Sequence, residues 1–295
     1  MKIRFAVAPG AGAADRDELD AFVDAVEAAG FDGIWLSDLP LSPLVDPLVG
    51  LALAAARTSR LHLGANIVPL GRNPFLLAKA LAQLDRLSGG RVLLAFVPGR
   101  DDPGEREALG ADGAHRGALL EEILALARAW WAGEVVDHRS ERWSFHRVEP
   151  VVRPVQDPLE VWLGGRGPRA LERVGRVADG WLGALVAPHE AAAARERIQA
   201  SAARAGRVFD PEHFGMSIGY AREAPDPEMR ARIDASRPGL DPAAVMPVGA
   251  DALRATLHAY VDAGLSKFVL RPLGTPGPWD EEAAWLADAV LDLQT

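Results

Sequence analysis

Residues 58–99 read TSRLHLGANIVPLGRNPFLLAKALAQLDRLSGGRVLLAFVPG and contain two strand-like runs separated by a helical pattern. The strand-like runs are residues 61–68 and 92–97, and the second is apolar throughout, as a parallel strand covered on both faces should be. Asn73 and Pro74 form a helix start, and the leucines that follow are spaced three or four residues apart. The stretch therefore predicts a strand–helix–strand unit, from which parallel sheets are built.

The same alternation continues in both directions along the chain. Residues 15–29, for example, have apolar side chains at helical spacing after the first strand, and Gly30 provides the left-handed helix end. The predicted strands are residues 3–8, 34–36, 61–68, 92–97, 159–163, 180–185, 214–220 and 267–270. Eight strands that each lead into a helix favour an α/β (β/α)8 TIM barrel. An open, doubly wound sheet of nine strands is the alternative.

Two segments interrupt the alternation. Residues 134–152 alternate in polarity like a hairpin, and residues 221–247 are rich in proline and charge. We interpret them as insertions after strands four and seven of one barrel domain that spans residues 1–295. Chemistry is expected on the loops that follow the strands, because TIM-barrel active sites lie at that end of the barrel.

Composition excludes several classes of function. The 295 residues contain no cysteine, which rules out disulfides, thiolate metal sites and cysteine nucleophiles. A net charge of −9 argues against nucleic-acid and membrane-surface binding, and no apolar run approaches the roughly 18 residues of a membrane span. The seven histidines show no metal-ligand spacing, so we expect no metal. A cytoplasmic location is expected.

The sequence GGRGP after the fifth strand is the clearest binding signal. Gly164, Gly165 and Gly167 let backbone N–H groups approach an anion at a helix start, and Arg166 adds a charge suited to phosphate. The alternative is a glycine-rich turn between packed elements.

Three further strand ends carry candidate residues. Asp38, after strand two, could accept a proton or hold a cofactor N–H, or merely satisfy loop amides. Strand three ends in small and polar residues where apolar ones would pack better. These residues could line a binding site or form a β-bulge. Pro98, Gly99 and Arg100 after strand four could be a simple turn. Without any nucleotide-binding or hydrolase motif, these residues predict a barrel with an anion site.

Five phrases in order resemble the bacterial luciferase-like monooxygenase superfamily. They are FAVAP at 5–9, GFDGIWLSD at 30–38, the opening stretch at 58–99, ALG…RG…LLEEILALARAWW at 108–131 and VWLGGRGPRALERVGRVADGW at 161–181. The resemblance covers about residues 1–185 and, more loosely, 253–272. Within the superfamily the chain looks most like the branch that uses coenzyme F-420 (8-hydroxy-5-deazaflavin) rather than FMN.

The resemblance implies a flavin-type ring in the barrel mouth. Asp38 would lie near the ring, and strand three would carry a bulge with a non-prolyl cis peptide at Asn66–Ile67. The implied cofactor-binding residues are Asp38, Ala65, Asn66, Ile67, Pro98 and Gly99 around the ring, and Gly164, Gly165, Arg166 and Gly167 at the phosphate. Relatives commonly pair through outer helices, so a homodimer is implied as well.

The sequence departs from the family pattern at two positions. Deazaflavin-using relatives often have a histidine where this chain has Leu39, and some have a carboxylate where it has Arg100. Asp38, with Arg100 as its electrostatic partner, is then the best remaining catalytic candidate, and catalysis is expected to depend mainly on orientation and water exclusion.

These observations leave several functions open. The first is hydride transfer between the deazaflavin and a small organic substrate. The alternatives are an FMN-dependent luciferase-like monooxygenase, a flavin- or deazaflavin-binding protein without catalysis, and a barrel lyase or hydrolase that uses the glycine turn for a substrate phosphate.

Overall fold

The eight predicted strands close into a parallel barrel. In this computed structural model, residues 1–111, 115–224, 227–274 and 276–295 are described. The strands are β1 (Arg4–Val7), β2 (Gly33–Ser37), β3 (His62–Ile67), β4 (Val92–Phe96), β5 (Val136–Arg139), β6 (Ser144–Val148), β7 (Val161–Gly164), β8 (Gly180–Ala184), β9 (Phe214–Tyr220) and β10 (Lys267–Pro272). All but β5 and β6 belong to the barrel, in the order β1-β2-β3-β4-β7-β8-β9-β10 and back to β1. The prediction of a (β/α)8 barrel is confirmed.

Helices surround the barrel, and most of them bury one face against it. They are α1 (Arg16–Ala29), α2 (Pro47–Arg57), α3 (Pro74–Ser88), α4 (Pro103–Ala108), α5 (Arg116–Ala132), α6 (Pro168–Val177), α7 (Pro188–Arg204), α8 (Pro227–Ser236), α9 (Ala250–Asp262) and α10 (Trp279–Val290). Helix α3 begins as predicted, because the Asn73 side chain accepts hydrogen bonds from the N–H groups of Phe75 and Leu76. Most of the apolar core lies between the strands and this helical layer.

Two tryptophans fill the inside of the barrel. Trp35 and Trp162 belong to a small apolar cluster separate from the main core. Their indoles occupy space left by glycines, since a Cβ at Gly64 would overlap Trp35 and a Cβ at Gly180 would overlap Trp162. This packing closes the barrel beneath the mouth, so a ligand at the mouth rests on a solid floor.

The first insertion is the predicted hairpin. Strands β5 and β6 pair in antiparallel fashion after α5. The indole N–H of Trp130 on α5 donates to the carbonyl of Val148, 3.2 Å away, and the Trp130 ring meets Phe145 edge to face. The hairpin is thus fixed to the outside of the barrel.

The second insertion contains a helix that the sequence did not predict. Helix α8 contributes Ile233 to a small apolar cluster with Ala187, Val245 and Met246. That cluster places the insertion beside the carboxyl end of β8. It therefore covers the part of the mouth next to the glycine turn.

Candidate active site

A cavity of about 240 Å³ opens at the carboxyl ends of β1, β2 and β10. Its lining consists of Ala8, Pro9, Gly10, Gly12, Ala13, Trp35, Leu36, Ser37, Leu39, Leu44, Val45 and Arg271. Arg271 is the one charged side chain in this lining. The position at the carboxyl ends of barrel strands is where TIM barrels hold their substrates.

A larger cavity of about 330 Å³ lies at the opposite end of the barrel, where the strands begin. The charged groups near it are paired with one another: Arg4 lies 3.3 Å from Asp32, and Lys267 lies 3.6 Å from Glu212. Because barrel enzymes place their chemistry at the other end, we assign the smaller cavity to the active site.

Asp38 is held by its neighbours rather than directed into the mouth cavity. Its carboxylate accepts hydrogen bonds from the N–H of Val68 at 3.0 Å and from Nη2 of Arg72 at 2.9 Å. Burial raises the pKa of Asp38, against the attraction of Arg72. Arg72 also contacts Asp46, so one guanidinium joins the end of β2, the end of β3 and the start of α2. These contacts give Asp38 a structural role, and its catalytic role stays a prediction.

Arg100 is not the partner of Asp38, and this part of the sequence interpretation is wrong. The Arg100 side chain bonds Glu105, with 2.9 Å between Nε and Oε2, and its backbone N–H donates to the other carboxylate oxygen. Glu105 is 99% buried because helix α4, which the sequence did not predict, folds back over the end of β4. A carboxylate is therefore present beside Gly99, but it belongs to Glu105, five residues after Arg100.

A second arginine fixes the same loop. Nη1 of Arg116, on α5, donates to the carbonyl of Arg100 at 2.7 Å and lies 3.4 Å from those of Pro98 and Gly99. Gly99 has a positive φ of 76°, and a Cβ there would stand 2.6 Å from Glu105. The Pro98–Gly99 backbone thus passes the mouth in a conformation that its neighbours enforce.

The end of strand three is regular, which corrects two expectations. The pairing of β3 with β2 and β4 runs without a shift through Asn66 and Ile67, so the described strand has no bulge. The Asn66–Ile67 peptide is trans; the cis bond among described residues is Asp157–Pro158. Continuous ladder hydrogen bonds on both sides account for this regularity. Ala65 and Ile67 are fully buried in the core outside the barrel, while Asn66 donates to Ser37 Oγ at 3.3 Å.

The glycine turn meets the geometric requirements of a phosphate cradle. Gly167 is the N-cap residue of α6 and offers no side-chain cap, so the first N–H groups of the helix are not satisfied by one. Gly165 has a φ of 120°, and a Cβ there would stand 2.7 Å from that of Ala170. Gly164 lies against Val97, where a Cβ would come within 2.9 Å. The residues present therefore fit an anionic group that approaches the backbone closely.

Two arginines increase the positive charge beside this turn. Arg166 donates to the carbonyl of Ser236 at the end of α8, 3.0 Å away. Burial and the neighbouring charge of Arg237 lower the pKa of Arg166. Arg237, from the second insertion, bonds Glu190 at 2.7 Å. The insertion thus brings a second arginine, ion-paired with Glu190, close to the predicted anion site.

Comparison with known proteins places the chain in a family. Residues 1–293 match the family of luciferase-like monooxygenases. The chain belongs to this family. As a member of the luciferase-like family it is an oxidoreductase, and the resemblance drawn from the sequence is confirmed.

Curated relatives include reductases. Over 76% of this chain and 71% of the relative, it is 28% identical to the 5,10-methylenetetrahydromethanopterin reductase of Methanolobus tindarius. Over 52% of this chain it is 34% identical to the phthiodiolone/phenolphthiodiolone dimycocerosates ketoreductase of Mycobacterium tuberculosis. The chain spans 42% of that ketoreductase's length.

Solved structures share the fold. An F-420-dependent secondary alcohol dehydrogenase, in complex with an F-420–acetone adduct, superposes with a TM-score of 0.81. The two chains are 16% identical, and the superposition covers 100% of each. At this identity the likeness supports the barrel architecture alone.

Several residues of this luciferase-like site were not found from the sequence. Arg72, Glu105, Arg116 and Arg237 are held at the mouth by contacts distant in sequence or within an unpredicted helix. Arg271 lines the cavity. The available signal was their position: Arg271 lies at the carboxyl end of β10, and the other four lie in the segments that follow β3, β4 and β9. Within the described residues, no group of three or more metal-ligating side chains comes together, and no helix is long and apolar enough to cross a bilayer.

Trp181 supports the glycine turn from below. This fully buried residue of β8 donates its indole N–H to the carbonyl of Gly165, 2.8 Å away. Changing Trp181 to phenylalanine removes that bond, and we expect a loss of about 1–2 kcal/mol in unfolding free energy. We also expect a roughly tenfold loss of affinity for an anionic cofactor, because Gly165 is no longer held.

Trp130 offers a matched control for this prediction. It also loses one indole hydrogen bond when changed to phenylalanine, but its partner is the distant hairpin. Urea denaturation and cofactor titration should show that both variants are less stable, while Trp181→Phe alone binds cofactor more weakly. Equal cofactor affinity in the two variants would contradict the role of Trp181.

Proposed function

We propose that this luciferase-like protein transfers a hydride between coenzyme F-420 and a small organic substrate. The observation that carries the proposal is the uncapped start of α6 within the glycine turn, flanked by Arg166 and Arg237. The glycine turn and Arg166 would hold the anionic tail of the cofactor at the carboxyl end of β7. The substrate cavity lies at β1, four strands from β7 in either direction around the barrel.

The arrangement of charges favours the deazaflavin over FMN. The tail of F-420 carries carboxylates beyond its phosphate, whereas FMN ends at the phosphate. Backbone N–H groups at the glycine turn suit the phosphate. Arg166, whose guanidinium bonds a neutral carbonyl, extends the positive region towards α8, while the charge of Arg237 is balanced by Glu190. A longer acidic tail uses both features.

The described residues of the mouth contribute mainly orientation and exclusion of water. When bound, the deazaflavin supplies a ring carbon that accepts or releases a hydride. The apolar walls at Leu39, Leu44 and Val45 keep water from that region. Ser37 accepts a hydrogen bond from Asn66, which leaves its own O–H free to donate to a substrate oxygen.

Paired titrations test the proposal. Purified protein is titrated with F-420 and with FMN while cofactor fluorescence is followed. Oxidised F-420 is then mixed with a panel of alcohols and reduced F-420 with a panel of carbonyl and enone compounds, and the absorbance of the cofactor is recorded. We expect F-420 to bind at least about tenfold more tightly than FMN and to be reduced or oxidised by some member of these panels. Tight FMN binding without F-420 binding favours the FMN-dependent monooxygenase, and binding without turnover favours the non-catalytic alternative.

A homodimer, implied by the resemblance, and a cytoplasmic location, expected from the composition, remain part of the proposal. Light scattering of the purified protein checks the first.

A further inference from the structure

Arg271 stands alone in the active-site cavity. It lies on β10 two residues after Val269, on the same face of the strand, and Val269 packs on Trp35 inside the barrel. Strand alternation therefore directs Arg271 into the barrel mouth as well, and it lines the 240 Å³ cavity. It makes no hydrogen bond or ion pair with any residue that the structure describes.

The other arginines around the mouth are all satisfied by protein groups. Arg72 has Asp38 and Asp46, Arg100 has Glu105, Arg116 has three carbonyls, Arg166 has Ser236, and Arg237 has Glu190. Burial lowers the pKa of Arg271, in keeping with a guanidinium that contacts no anion among the described residues. Arg271 is partly buried. Charges withdrawn from solvent in proteins are normally paired, so an unpaired guanidinium in a cavity indicates a ligand that brings the negative charge.

The position of Arg271 separates this anion from the cofactor tail. The glycine turn follows β7, and β7 lies across the barrel from β1, which pairs with β10. A tail bound at Gly164–Gly167 cannot also reach the cavity between β1, β2 and β10 if the ring lies between them. The anion at Arg271 then belongs to the substrate.

The surroundings of Arg271 suit a carboxylate. The described lining offers one guanidinium, the Ser37 hydroxyl and the indole of Trp35, and its other side chains are apolar. A planar guanidinium matches a carboxylate in a two-pronged hydrogen bond, whereas phosphate sites usually add helix N-terminal amides or further cations. The cavity volume and apolar walls accommodate a short hydrocarbon body.

We propose that Arg271 binds the carboxylate of the substrate, so that the substrate is a small organic acid with an apolar body. This rests on the proposed function for the identity of the reaction. It names the substrate class that the hydride-transfer site accepts.

The test uses a carboxylate probe and its neutral counterpart. Hexanoate and hexanamide are titrated calorimetrically into the protein, first alone and then with F-420 present. The variants are Arg271→Met, which keeps the length of the chain without its charge, and Arg271→Lys. Arg204→Met, an exposed cation on α7, is the matched control.

The expected result is a preference for hexanoate on the order of tenfold in the unaltered protein, the value of one charge-assisted, bidentate contact. Arg271→Met should lose the preference, Arg271→Lys should keep part of it, and Arg204→Met should keep all of it. The affinity for F-420 should be the same in all four proteins. Since Arg271→Met removes an unpaired charge, its thermal midpoint should not fall, which shows that it is folded.

Three outcomes overturn the inference: no preference for hexanoate in the unaltered protein, an undiminished preference in Arg271→Met, or a loss in Arg271→Met of F-420 affinity instead of hexanoate affinity. The last result assigns the guanidinium to the cofactor ring. Failure of the proposed function is distinguishable, because it appears as absent F-420 binding in the unaltered protein while the hexanoate comparison still decides the role of Arg271.

Discussion

Replacing Gly167 with aspartate should weaken F-420 binding on the order of 100-fold while making the protein slightly more stable. Gly167 is the N-cap of α6, with an extended backbone at φ −72° and ψ 156°, and a Cβ there meets no heavy atom within 4 Å. An aspartate side chain can therefore accept hydrogen bonds from the N–H groups of Arg169 or Ala170. It caps the helix and occupies, with like charge, the position proposed for the cofactor phosphate.

The two effects have opposite signs, which makes the result informative. Capping and the helix dipole should add a few tenths to about 1 kcal/mol of unfolding free energy, measured by urea denaturation. Cofactor affinity, measured by fluorescence titration, should fall steeply. A loss of affinity with unchanged or increased stability cannot be attributed to misfolding.

Gly167→Asn is the matched control. Asparagine caps a helix about as well as aspartate but carries no charge. It should give a similar gain in stability and a distinctly smaller loss of F-420 affinity. If Gly167→Asp bound F-420 as tightly as the unaltered protein does, the phosphate would have to bind elsewhere.

The barrel could be predicted from the sequence because its signals are local. Helix α1 buries Leu19, Phe22, Val23 and Val26, the residues that its helical spacing selects. The strands lie close to the predicted residues because continuous apolar runs between glycines and prolines have few other folded solutions. The hairpin insertion was also correctly predicted from its alternation.

The two missed helices lack such signals. Helix α4 has six residues and its one buried residue is Glu105, so it has no apolar stripe to detect. Helix α8 is polar around most of its circumference and packs mainly through Ile233. In both cases a cap or a long-range contact, not periodicity, determines the structure.

The candidate site divides in the same way. The glycine turn could be predicted because three glycines before a helix have a direct backbone consequence. The partners of charged residues could not, since Asp38 meets Arg72 from 34 positions away and Arg100 meets a residue of an unpredicted helix. The expectation of a cis peptide at Asn66–Ile67 came from the resemblance. The described strand pairs regularly with its neighbour here, and the peptide is trans.

The Asp38–Arg72 pair leads to the second large effect. Changing Arg72 to methionine leaves the Asp38 carboxylate, whose side chain is 94% buried, without its cation. We expect a loss of about 3 kcal/mol in unfolding free energy at neutral pH, at the lower end for buried pairs because Arg72 itself is 30% exposed. Arg57→Met, which breaks a more exposed ion pair with Asp24, is the control and should change stability little.

The pH dependence identifies the cause of that loss. Burial already raises the pKa of Asp38, and without Arg72 the pKa should rise further. A carboxyl group whose pKa is higher in the folded than in the unfolded state destabilises the protein least in acid. Its destabilising effect grows as the pH rises through the folded-state pKa. The deficit of Arg72→Met should therefore shrink between neutral pH and about pH 5, as measured by urea denaturation. Adding Asp38→Asn should remove this pH dependence and restore part of the stability, because no buried charge remains. A deficit that stays constant with pH in both variants would mean that lost packing of the arginine chain, rather than an unpaired carboxylate, is responsible.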